Sequence, residues 1–232
     1  IIYVNNYHAG YAEMSYRIVN PTKFFNSFKA SQNINLDIQN TTGKTQEGWY
    51  QAIITATTIK NHYLEFLFQI NPTNRFDFYE PREYGKFVYK PKSIIGYAQF
   101  SSNKNKSFAY EIETTLEKFD EISRVTYKLF GGAKYRFNDK FSLSYNFQYT
   151  RMVNDRGWVD FDTNAIIFGE RNREILQNDF VGKYALTNKM TLNVTARYYW
   201  SYSENHKFLT LQNDGYLMPN ATYLRSEEHT SE

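Results

Sequence analysis

The chain has no cysteine in 232 residues, which excludes disulfide frameworks, thiolate metal sites and thiol nucleophiles. It has no run of about 18 apolar residues, so no segment is long and apolar enough to cross a bilayer as a helix. The formal net charge is only +3, so nothing in the charge balance calls for nucleic acid. No leader and no initiator Met open the sequence. An exported protein needs a leader, so the chain is expected to be a fragment missing its N-terminus. The four histidines, His8, His62, His206 and His229, show no i, i+4 or H-E-x-x-H spacing, so zinc ligation has no support. No G-x-S-x-G elbow, P-loop or G-x-G-x-x-G is present, and no catalytic residue, cofactor or metal is expected from this segment.

Aromatic residues are plentiful: 21 Tyr and 19 Phe among the 19% aromatic content. A soluble core rarely uses so many tyrosines, whereas the interfacial girdles of a membrane barrel do, because Tyr joins an apolar ring to a polar tip. The mean hydropathy of −0.65 is no objection, since half of each barrel strand is polar.

The stretch from Met190 to Tyr202 carries the strongest pattern. Met190, Leu192, Val194, Ala196, Tyr198, Trp200 and Tyr202 alternate with Thr191, Asn193, Thr195, Arg197, Tyr199 and Ser201. That is period two with one apolar and one polar face, held beyond the usual soluble strand of about 5–6 residues. A tilted transmembrane strand needs about 9–11 residues. Ten such runs are expected: 8–19, 24–39, 48–59, 63–71, 93–101, 107–118, 122–137, 141–153, 172–186 and 190–203. Every second connection is short and rich in Asn, Asp, Pro or Lys (20–23, 60–62, 103–105, 138–140, 187–189), while 72–92, 154–171 and the stretch after 203 are long. Short turns on one rim and long loops on the other are the layout of an outer-membrane barrel, with the short turns periplasmic. The fold class read from the sequence is therefore all-β: an antiparallel up-and-down transmembrane β-barrel, partial, of about ten strands over 1–224. Residues 225–232 (RSEEHTSE) break the pattern and read as a disordered tail or a sequencing-adapter artefact.

An internal repeat fixes two hairpins: 135–145 matches 184–194, each strand, three-residue turn and strand. Closing the first sets Phe137 opposite Phe141, Tyr135 opposite Leu143, Ala133 opposite Tyr145 and Gly131 opposite Phe147. The second sets Leu186 against Met190 and Tyr184 against Leu192. A tight connection at 118–123 is expected to bring Glu117 near Arg124 and Glu113 near Lys128. By alternation, Glu111, Glu113, Glu117, Arg124, Lys128, Lys134, Arg136 and Arg197 are expected to line a lumen, because Arg or Lys facing mid-bilayer lipid costs about 2–4 kcal/mol. Tyr145, Phe147, Tyr149, Leu192, Val194, Tyr198, Trp200 and Tyr202 are expected to face lipid or form the girdles, with Trp49 in the same belt. The plainer alternative is a soluble sheet or sandwich with a solvated charged face.

In the long loop after Val153, Asp155, Trp158, Asp160 and Asp162, with Glu170 beyond, are candidate ligand contacts. Paired carboxylates could serve glycoside hydrolysis or hold Ca²⁺, although the spacing does not match an EF-hand; an acidic solvated surface loop is the favoured reading. Trp158, Phe161, Phe168 and Tyr216 are loop aromatics that could stack on sugar rings or simply pack over the mouth.

Four segments carry a family resemblance: Asn154-Asp-Arg-Gly-Trp-Val-Asp160, Ile166-Ile-Phe-Gly-Glu-Arg171, Asn188-Lys-Met-Thr-Leu-Asn-Val-Thr-Ala-Arg-Tyr-Tyr-Trp-Ser-Tyr202 and Leu211-Gln-Asn-Asp-Gly-Tyr-Leu-Met-Pro-Asn220. They resemble the C-terminal outer-membrane barrel of the bacterial family called domain of unknown function 5916, most clearly over 135–224. The resemblance implies an N-terminal sandwich, similar to a family-nine carbohydrate-binding module, that this fragment lacks together with some barrel strands. It implies location and architecture rather than chemistry. The expected role is thus the barrel of an outer-membrane protein in a Gram-negative bacterium, passing a solute or anchoring a surface protein. Its partners are then outer-membrane lipid and a glycan or small solute, with no nucleic acid. A barrel anchor for a glycan-binding or glycan-processing protein is the alternative, any glycosidase activity residing mainly in missing domains. The barrel of a TonB-dependent receptor stays open, because barrel strands look alike.

Overall fold

The computed structural model of the protein describes residues 6–163 and 165–223; the tail expected from 225 lies outside them. The strands are β1 (Tyr7–Ile18), β2 (Phe25–Gln39), β3 (Thr45–Thr58), β4 (Tyr63–Asn71), β5 (Arg75–Asp77), β6 (Val88–Lys90), β7 (Ser93–Ser101), β8 (Phe108–Phe119), β9 (Val125–Arg136), β10 (Phe141–Asp162), β11 (Ala165–Thr187), β12 (Met190–Leu211) and β13 (Leu217–Pro219). Eleven form one antiparallel meander in the order β1-β2-β3-β4-β7-β8-β9-β10-β11-β12-β13, while β5 and β6 make a separate two-stranded ladder. All ten expected runs are strands. Among the described residues no pairing joins β1 to β12 or β13, so the described sheet is open.

The sheet is inverted with respect to a soluble protein. On the polar side, Ser31, Asn71 and Ser101 are 5%, 1% and 2% exposed, whereas across the backbone Ile54, Phe66 and Ile112 are 47%, 54% and 51% exposed. Register keeps the faces continuous. One cross-strand row reads Ile54, Phe66, Ala98, Thr114, Leu129, Tyr149, Leu176, Trp200; the row beside it on the other face reads Thr55, Glu65, Gln99, Glu113, Phe130, Gln148, Gln177, Tyr199. Period two in each strand, kept in phase by the turns, produces this division.

At the end carrying the short turns, aromatic rings run from strand to strand on the apolar side. Phe100, Tyr110, Phe108, Tyr135, Phe137, Phe141 and Tyr184 follow one another across β7 to β11 at centroid spacings of 4.7–6.5 Å. The first predicted hairpin has the expected register, with Leu143 opposite Tyr135, Tyr145 opposite Ala133 and Phe147 opposite Gly131. In the second, Tyr184 does meet Leu192, but Leu186 bulges out between Ala185 and Thr187, so Met190 pairs with Thr187 instead.

Other expectations are corrected. The segment 154–171 is not a loop: β10 and β11 continue through it as one hairpin, and β12 continues to Leu211. Bulges between Met152 and Asp155 and between Trp158 and Asp160 break the period there, which disguises a strand as a loop. Opposite charges hold the extension, Asp155 facing Arg171 and Arg156 facing Glu170. The β8–β9 turn is centred one residue later than expected: Phe119 N–H reaches Arg124 O, and Ser123 takes a left-handed φ of 57°. Glu117 therefore faces Thr126 and Glu113 faces Phe130, not Arg124 and Lys128. Trp49 lies opposite Asn35 on the polar side, edge-on to Tyr11 at 6.4 Å, and not in the apolar belt.

Candidate functional site: a capped polar face

The polar face carries a hydrogen-bond chain across five strands. Asn33 donates to Gln51 (3.3 Å), Gln51 to Gln69 (3.0 Å), Gln69 to Asn71 (3.0 Å), Asn71 to Ser93 (2.7 Å) and Ser93 to Glu117 (2.8 Å). Gln51, Gln69 and Asn71 each accept and donate, so the row is continuous from β3 to β8, while Asn33 at its start donates but leaves its own Oδ1 without a partner. Toward the short-turn end, Ser101 and Lys104 donate to Glu111, Gln99 to Glu113, and Arg197 pairs with Asp179. The predicted lumen residues Glu111, Glu113, Glu117, Lys128, Lys134, Arg136 and Arg197 share this face, and Arg124 stands one residue before β9 in the same alternation. The predicted lipid-facing set (Tyr145, Phe147, Tyr149, Leu192, Val194, Tyr198, Trp200, Tyr202) shares the opposite one.

The connection 72–92 folds over the polar face at the other end, which no local residue pattern signals. Its hairpin touches β3 through Arg75–Glu47 (3.0 Å) and Lys90–Glu47 (3.9 Å). It touches the β12–β13 turn through Tyr89 N–H to Gly215 O (2.8 Å) and a Tyr89–Tyr216 stack at 4.8 Å. Gly215, at φ +91°, is required there, because a Cβ would stand 2.6 Å from the Phe87 ring. In a flat sheet β3 and β13 would be about 38 Å apart, at about 4.8 Å per strand. A two-stranded hairpin touches both only because the sheet curls, polar face inward.

Beneath this cap a conventional core forms from Val88, Ile166, Phe168 and Leu209, with Trp158, Leu211 and Leu217 packed against it. Beside it lies a cavity of about 420 Å³ whose lining includes Arg75, Arg124, Asp155, Arg156, Arg171 and Arg173. The charges are cross-linked. Arg156 reaches Glu121 (2.6 Å) and Glu170 (3.0 Å), Arg124 reaches Glu121 (2.9 Å), and Arg171 and Arg173 share Asp155 at 3.5 Å. On the cap, burial by itself would raise the Asp77 carboxyl, but Lys90 Nζ at 2.8 Å and the backbone N–H groups of Glu80 and Tyr79 outweigh it. Its pKa therefore lies below the ordinary value.

The four candidate loop contacts do not converge. Asp155 lines the cavity, where two guanidinium groups hold it as a structural anion. Trp158 belongs to the core, its N–H group bonded to Glu80 and its ring under Arg82 at 4.0 Å. Asp160 accepts from Tyr223, and Asp162 caps the hairpin tip with Thr163. Among the described residues no three His, Cys, Asp or Glu gather as metal ligands. Phe168 is 1% exposed and unavailable to a sugar. The cap residues Arg75, Lys90, Arg156 and Arg173 escaped sequence reading, since only the fold of 72–92 and the bulged hairpin brings them together.

No curated protein and no solved structure matches the chain. The sequence model of one family, Domain of unknown function (DUF5916), matches residues 1–231, well beyond the 135–224 stretch where the resemblance is clearest. The inverted, aromatic-rimmed sheet with its cap is accordingly the sheet of a member of that family, and the chain belongs to DUF5916.

Proposed function

We propose that this chain is the membrane-embedded part of an outer-membrane β-barrel in a Gram-negative envelope, its polar face lining a solute path and its 72–92 cap narrowing the outer mouth. The carrying observation is the inversion: large apolar side chains half exposed on one continuous face, amides and hydroxyls sheltered on the other. In water such a face opposes folding, since burying each Leu, Ile or Phe contributes about 1.5–3 kcal/mol that is left unrealised. In lipid the same face is solvated. The height also fits. Leu192 to Tyr202 spans ten residue-to-residue steps, about 33 Å along the strand, and a tilt of about 40° reduces this to the roughly 25 Å apolar band of outer-membrane barrels. The aromatic row at the short-turn end supplies a girdle, and the outward-facing Arg151–Glu174 pair marks the opposite limit.

An open edge is not tolerated in hydrocarbon. β1 and β12, the first and tenth long strands, are antiparallel; among the described residues one edge of β1 is unpaired, as is that of β12 before its short ladder with β13 at Leu209–Leu211, so they are able to close on each other or on further strands. The test is fractionation and electrophoresis. Recovery in outer membranes with a mobility shift on boiling supports the barrel, after which planar-bilayer conductance reports the path. Soluble recovery without a shift overturns the reading.

A further inference from the structure

A second cavity lies on the cap and shares no lining residue with the charged one. It holds about 750 Å³ between the β2–β3 turn and the 78–85 loop. One wall carries neutral amides and hydroxyls: Asn6, Gln39, Thr41, Thr42 and Gln46. The other carries Phe78, Tyr79 and Tyr84, with one cation, Arg82, and one anion, Glu83. The lining therefore has no net charge, in contrast to the arginine-lined cavity beside it.

Three features mark this cleft as built. The Gln39 carbonyl oxygen accepts both the N–H and the hydroxyl of Thr42 (2.7 and 2.9 Å), which fixes the plane of its amide. Gln46 is 6% exposed, yet its Oε1 has no partner; burying such a group unpaired is costly unless a ligand or water completes it. The loop presenting Tyr84 is braced: Pro81 is fully buried, Arg82 stacks on Trp158 at 4.0 Å, and Phe78 packs on Phe87 at 5.4 Å. Tyr84 itself stands wholly in solvent. A rigid loop that holds an aromatic ring out in water is pre-organised for contact.

Aromatic rings opposite planar amides, in a cleft without net charge, match a ligand with apolar C–H faces and a rim of hydroxyl groups. Rings cover the C–H faces, while amides donate and accept at paired hydroxyls. We propose that this cleft binds a neutral oligosaccharide. The inference goes beyond the barrel reading and rests on it only for the side from which the ligand arrives.

The test uses the whole chain folded in detergent, with heat-modifiable migration confirming the fold independently. Cellohexaose, maltohexaose, laminarihexaose, xylohexaose and mannohexaose are offered separately, with an oligogalacturonate as the charged control, and binding is read by saturation-transfer NMR and calorimetry. At least one neutral probe is expected to bind saturably, with Tyr84→Ala weakening it about tenfold and Gln46→Leu weakening it independently. Because Tyr84 is fully exposed, its substitution leaves the fold intact. Absence of binding by every neutral probe to folded protein, preference for the charged control, or unchanged affinity in Tyr84→Ala overturns the proposal. Loss of the mobility shift in the parent chain counts against the barrel instead.

Discussion

The long strands and the cap are drawn from the same residue types but bury opposite ones. Along β4, β7 and β8, Phe66, Phe68, Ile94, Phe108 and Ile112 stand half exposed, while Asn71, Ser93 and Ser101 are sheltered. In the cap and the strand ends beneath it, Phe168, Ile167 and Leu209 are the buried residues, and the charged groups surround a cavity. The difference teaches that solvent, not composition, decides which face is the inside. On the proposed reading, the strands are patterned for an apolar medium outside and a polar interior, whereas the cap follows the rule of a water-soluble protein and would lie beyond the apolar band.

Deleting a ring should break that comparison most sharply. Phe168→Ala leaves a cavity in a closed core and is expected to cost about 3–5 kcal/mol of cap stability. Phe66→Ala removes the same atoms from a face that neighbouring lipid or detergent can refill, so it should cost much less. Denaturant titration, with limited proteolysis of 72–92 and 154–171, separates the two. Equal losses would mean that both regions share one solvent.

Charge placed on each face tests the same idea from the other side. Leu129→Arg, in mid-band on the apolar face, is expected to cost about 2–4 kcal/mol in bilayers. Gln148→Arg lies one step away on the polar face and is expected to stay within about 0.5 kcal/mol. Unfolding from liposomes measures both, and similar costs would remove the lipid-facing assignment of Tyr149 and Trp200. A smaller effect comes from the amide chain. Asn71→Ala leaves the Gln69 amide and the Ser93 hydroxyl short of partners, a cost of about 1–3 kcal/mol, whereas full tolerance would show that water already enters the row.

How much of this was legible follows from the same contrast. In the strands a single period assigns every side chain to a face, so Glu113 and Lys128 were placed together and Leu192 and Trp200 apart from them. The Tyr135–Leu143 register could be counted out from a three-residue turn. The cap follows no single period. Bulges at Met152–Asp155 and Trp158–Asp160 shift the phase, so Trp158 and Phe168 read as loop aromatics although they form the core. The hairpin that pairs Arg75 with Glu47 also reaches Gly215 only because the whole sheet curls, a long-range consequence of twist that no local pattern carries. The Glu117–Arg124 pairing failed for a smaller reason: the turn is centred one residue later, which moves the partner of Glu117 by two, to Thr126.

The smallest expected effect is acid sensitivity confined to the cap. Burial raises the Asp77 carboxyl, but Lys90 and the backbone N–H groups of Glu80 and Tyr79 more than offset it and hold its folded pKa below the ordinary value. A depressed carboxylate stabilises the fold at pH values above its unfolded pKa of about 3.9, and the contribution is lost as pH falls through the folded value. The 72–92 hairpin should therefore be fully held at neutral pH and loosen below about pH 4, while the long strands stay paired. Trp158 reports this directly, because Glu80 accepts its backbone N–H at 2.9 Å and Arg82 covers its ring. In a background where Trp49 and Trp200 are replaced by Phe, Trp158 emission is expected to change on acidification, and Asp77→Asn should flatten that response. An identical acid profile in Asp77→Asn would show that the Asp77–Lys90 pair is not what holds the cap against acid.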